Sequence, residues 1–223
     1  MAKRAAKPAD AKPAPKGKSK TTARKPPATA RPARAPAKPA AGAVYQVKIT
    51  LDHVRPPVWR RVLVEDCTLA DLHDVVQISM GWAGYHLHIF EIGEERYGAP
   101  EQWEDDPLGD HDVGNEGKVK LSQLVGRGVK KFHYEYDMGD SWGHTIQVEK
   151  TLPAEAGVRY PRCVDGARAC PPEDCGGPWG YGDFLDAIQN PRHPQHEELR
   201  EWIGGDFDPE AFDPEAVNAK LAL

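Results

Sequence analysis

Residues 2–43 contain no aromatic side chain and no valine, leucine or isoleucine, and only one acid, Asp10. A segment this poor in apolar surface cannot offset the entropy of ordering its backbone, which excludes a packed core there. Elsewhere no apolar run approaches the ~18 residues that cross a bilayer. With a mean hydropathy of −0.64, the chain is expected to have no membrane span. The basic start lacks the apolar block that would make it a secretory signal, so a reducing cytoplasm is the expected setting. Cysteine is scarce, four in 223 residues, and in that setting four thiols read as free thiols, metal ligands or redox groups rather than disulfides. Two CxxC pairs would define a zinc site, and none occurs. Neither GxxxxGK[ST] nor a complete EF-hand frame is present, which argues against ATP-driven chemistry and a calmodulin-type calcium loop.

What the first 43 residues do contain is charge. Twelve cations (Lys3, Arg4, Lys7, Lys12, Lys16, Lys18, Lys20, Arg24, Lys25, Arg31, Arg34 and Lys38) face the one acid, a net +11. From chain totals of 29 basic and 34 acidic residues, this leaves 17 against 33 in 44–223, a net −16. Residues 1–43 are therefore expected to be a disordered basic arm on an acidic body. Its eight prolines favour an extended chain, and its cations are candidates for sequence-independent contact with nucleic acid. The competing readings are a solubilising tail and an arm that folds onto its own acidic body.

The folded part is expected to fill 44–223. VYQVKITL at 44–51 alternates apolar and polar residues, and VWRRVLVE at 58–65 is β-branched, with Arg55-Pro56-Pro57 as the break between two strands. Thr68 precedes Leu69, Leu72, Val76 and Met80 at helical spacing, which predicts one central helix. HLHIFEI at 86–92 predicts a strand with His86, His88, Phe90 and Ile92 on one face. A short strand is expected near Arg96 and Tyr97, and KKFHYEYDM with GHTIQVEKT predicts a hairpin across Gly139 to Trp142. GDFLDAIQN, HEELREWIG and PEAVNAKLAL are helical, with Asp208-Pro209 and Asp213-Pro214 as candidate helix starts. The fold class is α+β: a largely antiparallel sheet, a central helix and a helical C-terminal part.

Two stretches invite chemistry. RCVDGARACPPEDCGGPWGY, from Arg162 to Tyr181, shows no apolar period and reads as a loop holding Cys163, Cys170 and Cys175. Those spacings admit zinc, with His144 as the first choice of fourth ligand and Cys67, His86, His88 and Asp174 as alternatives. The competing readings are a rigid crossover with cysteines as small buried apolar residues, and a reactive thiol activated by Arg162 or Arg168. DMGDSWGH at 137–144 offers Asp140 or Asp137 as a base and His144 as an acid, but Asp-Met-Gly-Asp-Ser is also ordinary turn chemistry. EDDPLGDHD at 104–112 reads as a solvated acidic loop.

HLHIFEI, YEYDMGDSWGHTI, RACPPEDCGGPWGY and HEELREWIGGDFDPEAFDPEAVNAKL, in that order, resemble the plasmid pRiA-type ORF-three-like family of bacteria, plasmids and mobile elements. The resemblance runs from Tyr45 to the last residues and implies a compact α+β domain. Some members carry transposon-passenger or TnpR-type labels. A serine recombinase needs its nucleophile among arginines, whereas Ser141 lies among Asp137, Asp140 and Trp142. The resemblance thus implies a fold and no activity. The expected function is a non-enzymatic accessory module, zinc-stabilised at the cysteine loop, that binds a protein partner and contacts nucleic acid through the arm. The alternative is a hydrolase or thiol-dependent enzyme using Asp140, His144 and the loop cysteines.

Overall fold

The computed structural model describes residues 42–103 and 113–223. The expectations for the basic arm and for the acidic run at 104–112 lie outside the described residues, apart from Gly42 and Ala43.

Alternation in the first expected strand is realised in β1 (Ala43–Leu51), where Tyr45, Val47, Ile49 and Leu51 are fully buried and Gln46, Lys48 and Thr50 are half-exposed. One face of the strand meets the core and the other meets solvent. β1 pairs antiparallel with β2 (Trp59–Val64) on one side and β7 (Trp142–Pro153) on the other. Beyond β7 come β6 (Lys131–Tyr136), β3 (His88–Ile92), β4 (Glu95–Gly98) and β5 (Val113–Asn115). β8 (Arg162–Ala167) closes the other edge on β2, giving the order β5-β4-β3-β6-β7-β1-β2-β8. Every pairing is antiparallel except β4 with β5.

α1 (Leu69–Met80) presents Leu69, Leu72, Val76 and Met80 to the buried core. Its start is fixed by a capping box: the Thr68 hydroxyl accepts from the Asp71 amide at 3.1 Å, and the Asp71 carboxylate accepts from the Thr68 amide at 2.8 Å. Gly81, at φ 90°, ends the helix and donates its amide to the Gln77 carbonyl. The remaining helices are α2 (Pro100–Trp103), α3 (Leu121–Gly126), α4 (Gly177–Gln189), α5 (His196–Trp202) and α6 (Pro214–Leu221). Phe184 of α4 meets Phe207 and Trp202 edge-on, at 5.2 and 6.1 Å, which ties α4 to the C-terminal segment. No helix among the described residues is long and apolar enough to cross a membrane.

Three expectations are corrected. The stretch from Arg162 to Tyr181 is not all loop, because its first six residues form β8 and its last five open α4. β8 escaped notice because only Cys163 in it is buried, leaving no apolar alternation. Its outer edge is closed by α6, where Asn218 accepts from the Cys163 amide at 2.7 Å and donates to the Cys163 carbonyl at 2.9 Å, standing in for a further strand. His86 lies in the turn before β3 and not on it, so it does not share a strand face with His88. Asp208-Pro209 starts a turn, with Asp208 accepting from Glu210, whereas Asp213-Pro214 does cap α6.

Replacing Thr68 by alanine removes one half of the capping box. The expected loss is about 1 kcal/mol in urea unfolding with an unchanged m value.

Candidate functional site

Four chain segments converge at one end of the sheet. β1 ends at Leu51, β6 at Tyr136, β7 begins at Trp142 and β3 at His88, so the turns joining these strands share that end. The cysteine loop, residues 168–176, is laid across it; Arg168 pairs with Glu210 and the Ala169 amide donates to the Pro209 carbonyl at its start, and four hydrogen bonds hold it to the loop end of the sheet. Trp82 Nε1 donates to the Pro171 carbonyl at 2.9 Å, and the Ala83 amide donates to Glu173 Oε2 at 2.9 Å. The Tyr136 hydroxyl donates to Glu173 Oε1 at 2.5 Å. The Gly176 amide donates to Asp140 Oδ2 at 3.1 Å. Gly177, at φ 70°, brings the start of α4 so close to the Asp140 carbonyl that a β-carbon there would collide with it.

The loop is therefore anchored by carboxylates, a carbonyl and backbone amides. Its thiols are used differently. Burial raises the pKa of Cys163 and Cys170, and pushes Cys175 and, outside the loop, Cys67 up to about 12. All four are free. Protonated thiols packed against the core act as small apolar residues.

Among the described residues, the one group of three or more His, Cys, Asp or Glu side chains whose ligand atoms lie within 4.8 Å of one another is His86, Asp137 and Asp174. Cys163, Cys170, Cys175 and His144 are not gathered into such a set. Cys163 is tied to α6 through its backbone, while His144 is fully buried on β7, edge-on to Trp82 at 5.3 Å. Asp140 and His144 are not brought together either. The His144 ring is sealed against the backbone of Trp142 and Tyr134 with no side-chain partner, and the Asp140 carboxylate is engaged by Gly176. The DMGDS stretch is a turn of the expected chemistry: Asp137 Oδ1 accepts from the amides of Gly139 at 2.9 Å and Asp140 at 3.3 Å.

The gathered trio is built from two of the converging turns and the loop laid across them. His86 Nε2 lies 3.1 Å from Asp174 Oδ1 and 3.7 Å from Asp137 Oδ2. The Asp137 amide donates to the Leu87 carbonyl at 2.8 Å, which fixes one acid beside the histidine segment. Asp174 is carried in by the anchored loop. Both aspartates have φ 59°, a left-handed conformation that costs a non-glycine residue roughly 1–2 kcal/mol, so the surrounding bonds must hold them there. His86 and Asp174 were alternative ligands for a thiolate set, and Asp137 an alternative base. Their grouping was hidden because the three are 37 or more residues apart and meet only through the order of β3, β6 and the loop.

A second cluster lies deeper. His88 Nε2 is 2.9 Å from Glu116 Oε2, and its ring stacks on His73 with centroids 3.6 Å apart. The Tyr134 hydroxyl accepts from Gln77 Nε2 at 2.9 Å and stands 2.7 Å from His73 Nδ1, to which it can donate. Burial, reinforced by His88, pushes His73 down to about 3, and burial pushes His144 down to about 4. Both rings are neutral and structural at neutral pH. His133 behaves oppositely, since its hydrogen bond to Asp52 raises it above the usual histidine range.

With this fold and these geometries described, the class of protein follows. Residues 43–216 match the family described as plasmid pRiA4b ORF-3-like protein, and the chain belongs to that family. Among particular relatives, it is 42% identical over 178 residues to the uncharacterised protein y4hQ of Sinorhizobium fredii, covering 78% of this chain and 89% of that one. It also resembles the crystal structure of MM3350 from Methanosarcina mazei Go1, a protein of unknown function. The TM-score is 0.69 and the identity 38%, over 78% of this chain and 96% of that chain.

These titrations set a pH dependence. Unfolded histidines take up protons near pH 6.5, whereas native His144 stays neutral to about pH 4. Stability is therefore lost as pH falls below 6.5, by about 3 kcal/mol from His144 alone, at 1.36 kcal/mol per pH unit. The His133 contribution has the opposite sign: it is present below pH 6.5 and lost as pH rises through the raised value. Denaturant titrations should place maximum stability near pH 6.5, and His144→Phe should flatten the acid side of the curve.

Proposed function

We propose that the protein is a binding module for single-stranded nucleic acid, in which the basic arm contacts the phosphates and the loop end of the sheet stacks unpaired bases. The observation that carries this reading is the exposure of apolar side chains at that end. Among the described residues seven large apolar side chains are exposed, and four of them, Tyr85, Leu87, Met138 and Trp179, sit beside the converging turns. Tyr85 and Trp179 are each 81% exposed. Apolar side chains exposed together at one end offer a contact surface, and aromatic rings open to solvent are what sequence-independent binders use to stack bases. Trp179 also stacks near His53 of the β1–β2 turn, with centroids 6.4 Å apart and the planes inclined by 23°, which orients the indole.

Charge divides the labour. A body at −16 repels phosphate, so a +11 arm must supply the attraction. The arm joins β1 at Ala43, about 30 Å from the loop end at ~3.3 Å per strand residue. About forty residues, at no more than ~3.6 Å each, are long enough to reach it. The thiol-dependent alternative receives no support from buried, protonated cysteines, nor the Asp140–His144 dyad from a fully buried histidine.

The test is binding of a fluorescent oligo-dT to the full chain at several salt concentrations. The affinity should fall with a log–log slope of up to about −8, from ~0.7 per neutralised phosphate. Replacing the twelve arm cations by serine should remove that slope. Trp179→Ala should weaken oligo-dT binding about tenfold while leaving duplex binding unchanged. Equal affinity for single strand and duplex, insensitive to Trp179, would overturn the stacking role.

A further inference from the structure

We propose that His86, Asp137 and Asp174 form a site for one divalent transition-metal ion, with zinc(II) the best match, at the loop end of the sheet. The proposal stands on different side chains from the stacking surface and does not depend on it.

The donor set comes first. One imidazole nitrogen and two carboxylate oxygens suit a borderline cation such as Zn²⁺, Co²⁺ or Mn²⁺, whereas calcium and magnesium take all-oxygen shells. Distance comes second. Ligand bonds of 2.0–2.1 Å put tetrahedral donor atoms about 3.3 Å apart. The observed separations of 3.1 and 3.7 Å from His86 Nε2 bracket that spacing, and all three ligand atoms lie within 4.8 Å of one another.

The orientation of the histidine comes third. His86 Nε2 is shielded from solvent and lies within ion-pair distance of both carboxylates, yet is not aligned for a hydrogen bond to either. A shielded imidazole nitrogen so close to two acceptors but aligned with neither is poorly satisfied unless something else sits between them. A shared cation satisfies the nitrogen and both carboxylates at once.

The supporting groups are of the kind metal ligands need. Asp137, 8% exposed, has Oδ1 saturated by the Gly139 and Asp140 amides, which leaves Oδ2 directed at His86. The Tyr136 ring lies edge-on to the His86 imidazole at 5.7 Å, and its hydroxyl holds Glu173, next to Asp174. Three protein ligands leave at least one coordination position open. With the His86 side chain 32% and the Asp174 side chain 66% exposed, that position faces solvent and can take water or an anionic oxygen of a ligand.

The test uses the full chain, stripped with chelator and titrated with ZnCl₂ and CoCl₂ by calorimetry and visible absorption. The expected result is one ion per chain, and cobalt spectra of a nitrogen and oxygen site with no thiolate charge-transfer band. His86→Ala and Asp174→Asn should each weaken zinc binding at least about 100-fold, given that loss of a mere supporting partner costs 10–100-fold. Cys170→Ala/Cys175→Ala should leave it unchanged. Asp174 is exposed, so its variant keeps the test informative if His86→Ala fails to fold. The proposal is overturned if no stoichiometric ion binds, if binding survives Asp174→Asn, or if the cysteine variant abolishes it.

Discussion

One carboxylate holds the loop end of this protein together. Glu173 accepts from the Tyr136 hydroxyl at the end of β6 and from the Ala83 amide after α1, so a single side chain binds the cysteine loop to both the sheet and the central helix. The loop has little else to fix it from within, being rich in proline and glycine and lacking its own ladder of hydrogen bonds over 168–176. Its docking brings Asp174 to His86, places Gly176 on Asp140 and starts α4 where Trp179 projects outward. Behind it, Trp82 stacks on Tyr136 at 5.2 Å and donates to Pro171, which gives the loop an apolar wall to lie on. Proline and glycine serve here to make a stiff, close-fitting bracket.

Much of the fold could be read from residue periodicity, and the reasons are specific. β1, α1 and the β6–β7 hairpin each bury one regular face, so the pattern of their apolar residues is the pattern of their burial. β8 is an edge strand with one buried residue, and α3 is only six residues long, so neither produces a period. The capping boundary at Thr68 was legible because local side chains make it, whereas the early start of α4 depends on Asp140 and Gly177 meeting across 37 residues. The family was equally legible, because its motifs cover the strands and turns that build the loop end.

The site was legible only in fragments. Cysteine spacing suggested a zinc knot; all four thiols pack in or against the core, Cys163 on an edge strand and Cys67 just before α1, with Cys175 near enough to add to the rise in the Cys170 pKa. His144 was a candidate ligand because it opens the strand that leads to the cysteine loop, and a candidate acid because it follows two aspartates, but strand alternation turns it inward beside Trp82 and Tyr134. The residues that do meet were each noted for other reasons. No local spacing connects them, because the sheet order sets their contact. The arm presents the reverse case, since its charge is legible from composition alone and owes nothing to the fold.

The central claim is that the cysteine loop exists to deliver a carboxylate to His86 and Asp137, and that its sulfurs are packing. Anomalous diffraction at the zinc edge, from crystals of the full chain grown with one equivalent of zinc, tests this most directly. The account predicts a single strong peak about 2 Å from His86 Nε2 and from oxygens of Asp137 and Asp174. A peak on the sulfurs of Cys170 and Cys175, or density between the three ligands that shows only ordinary water, would contradict it.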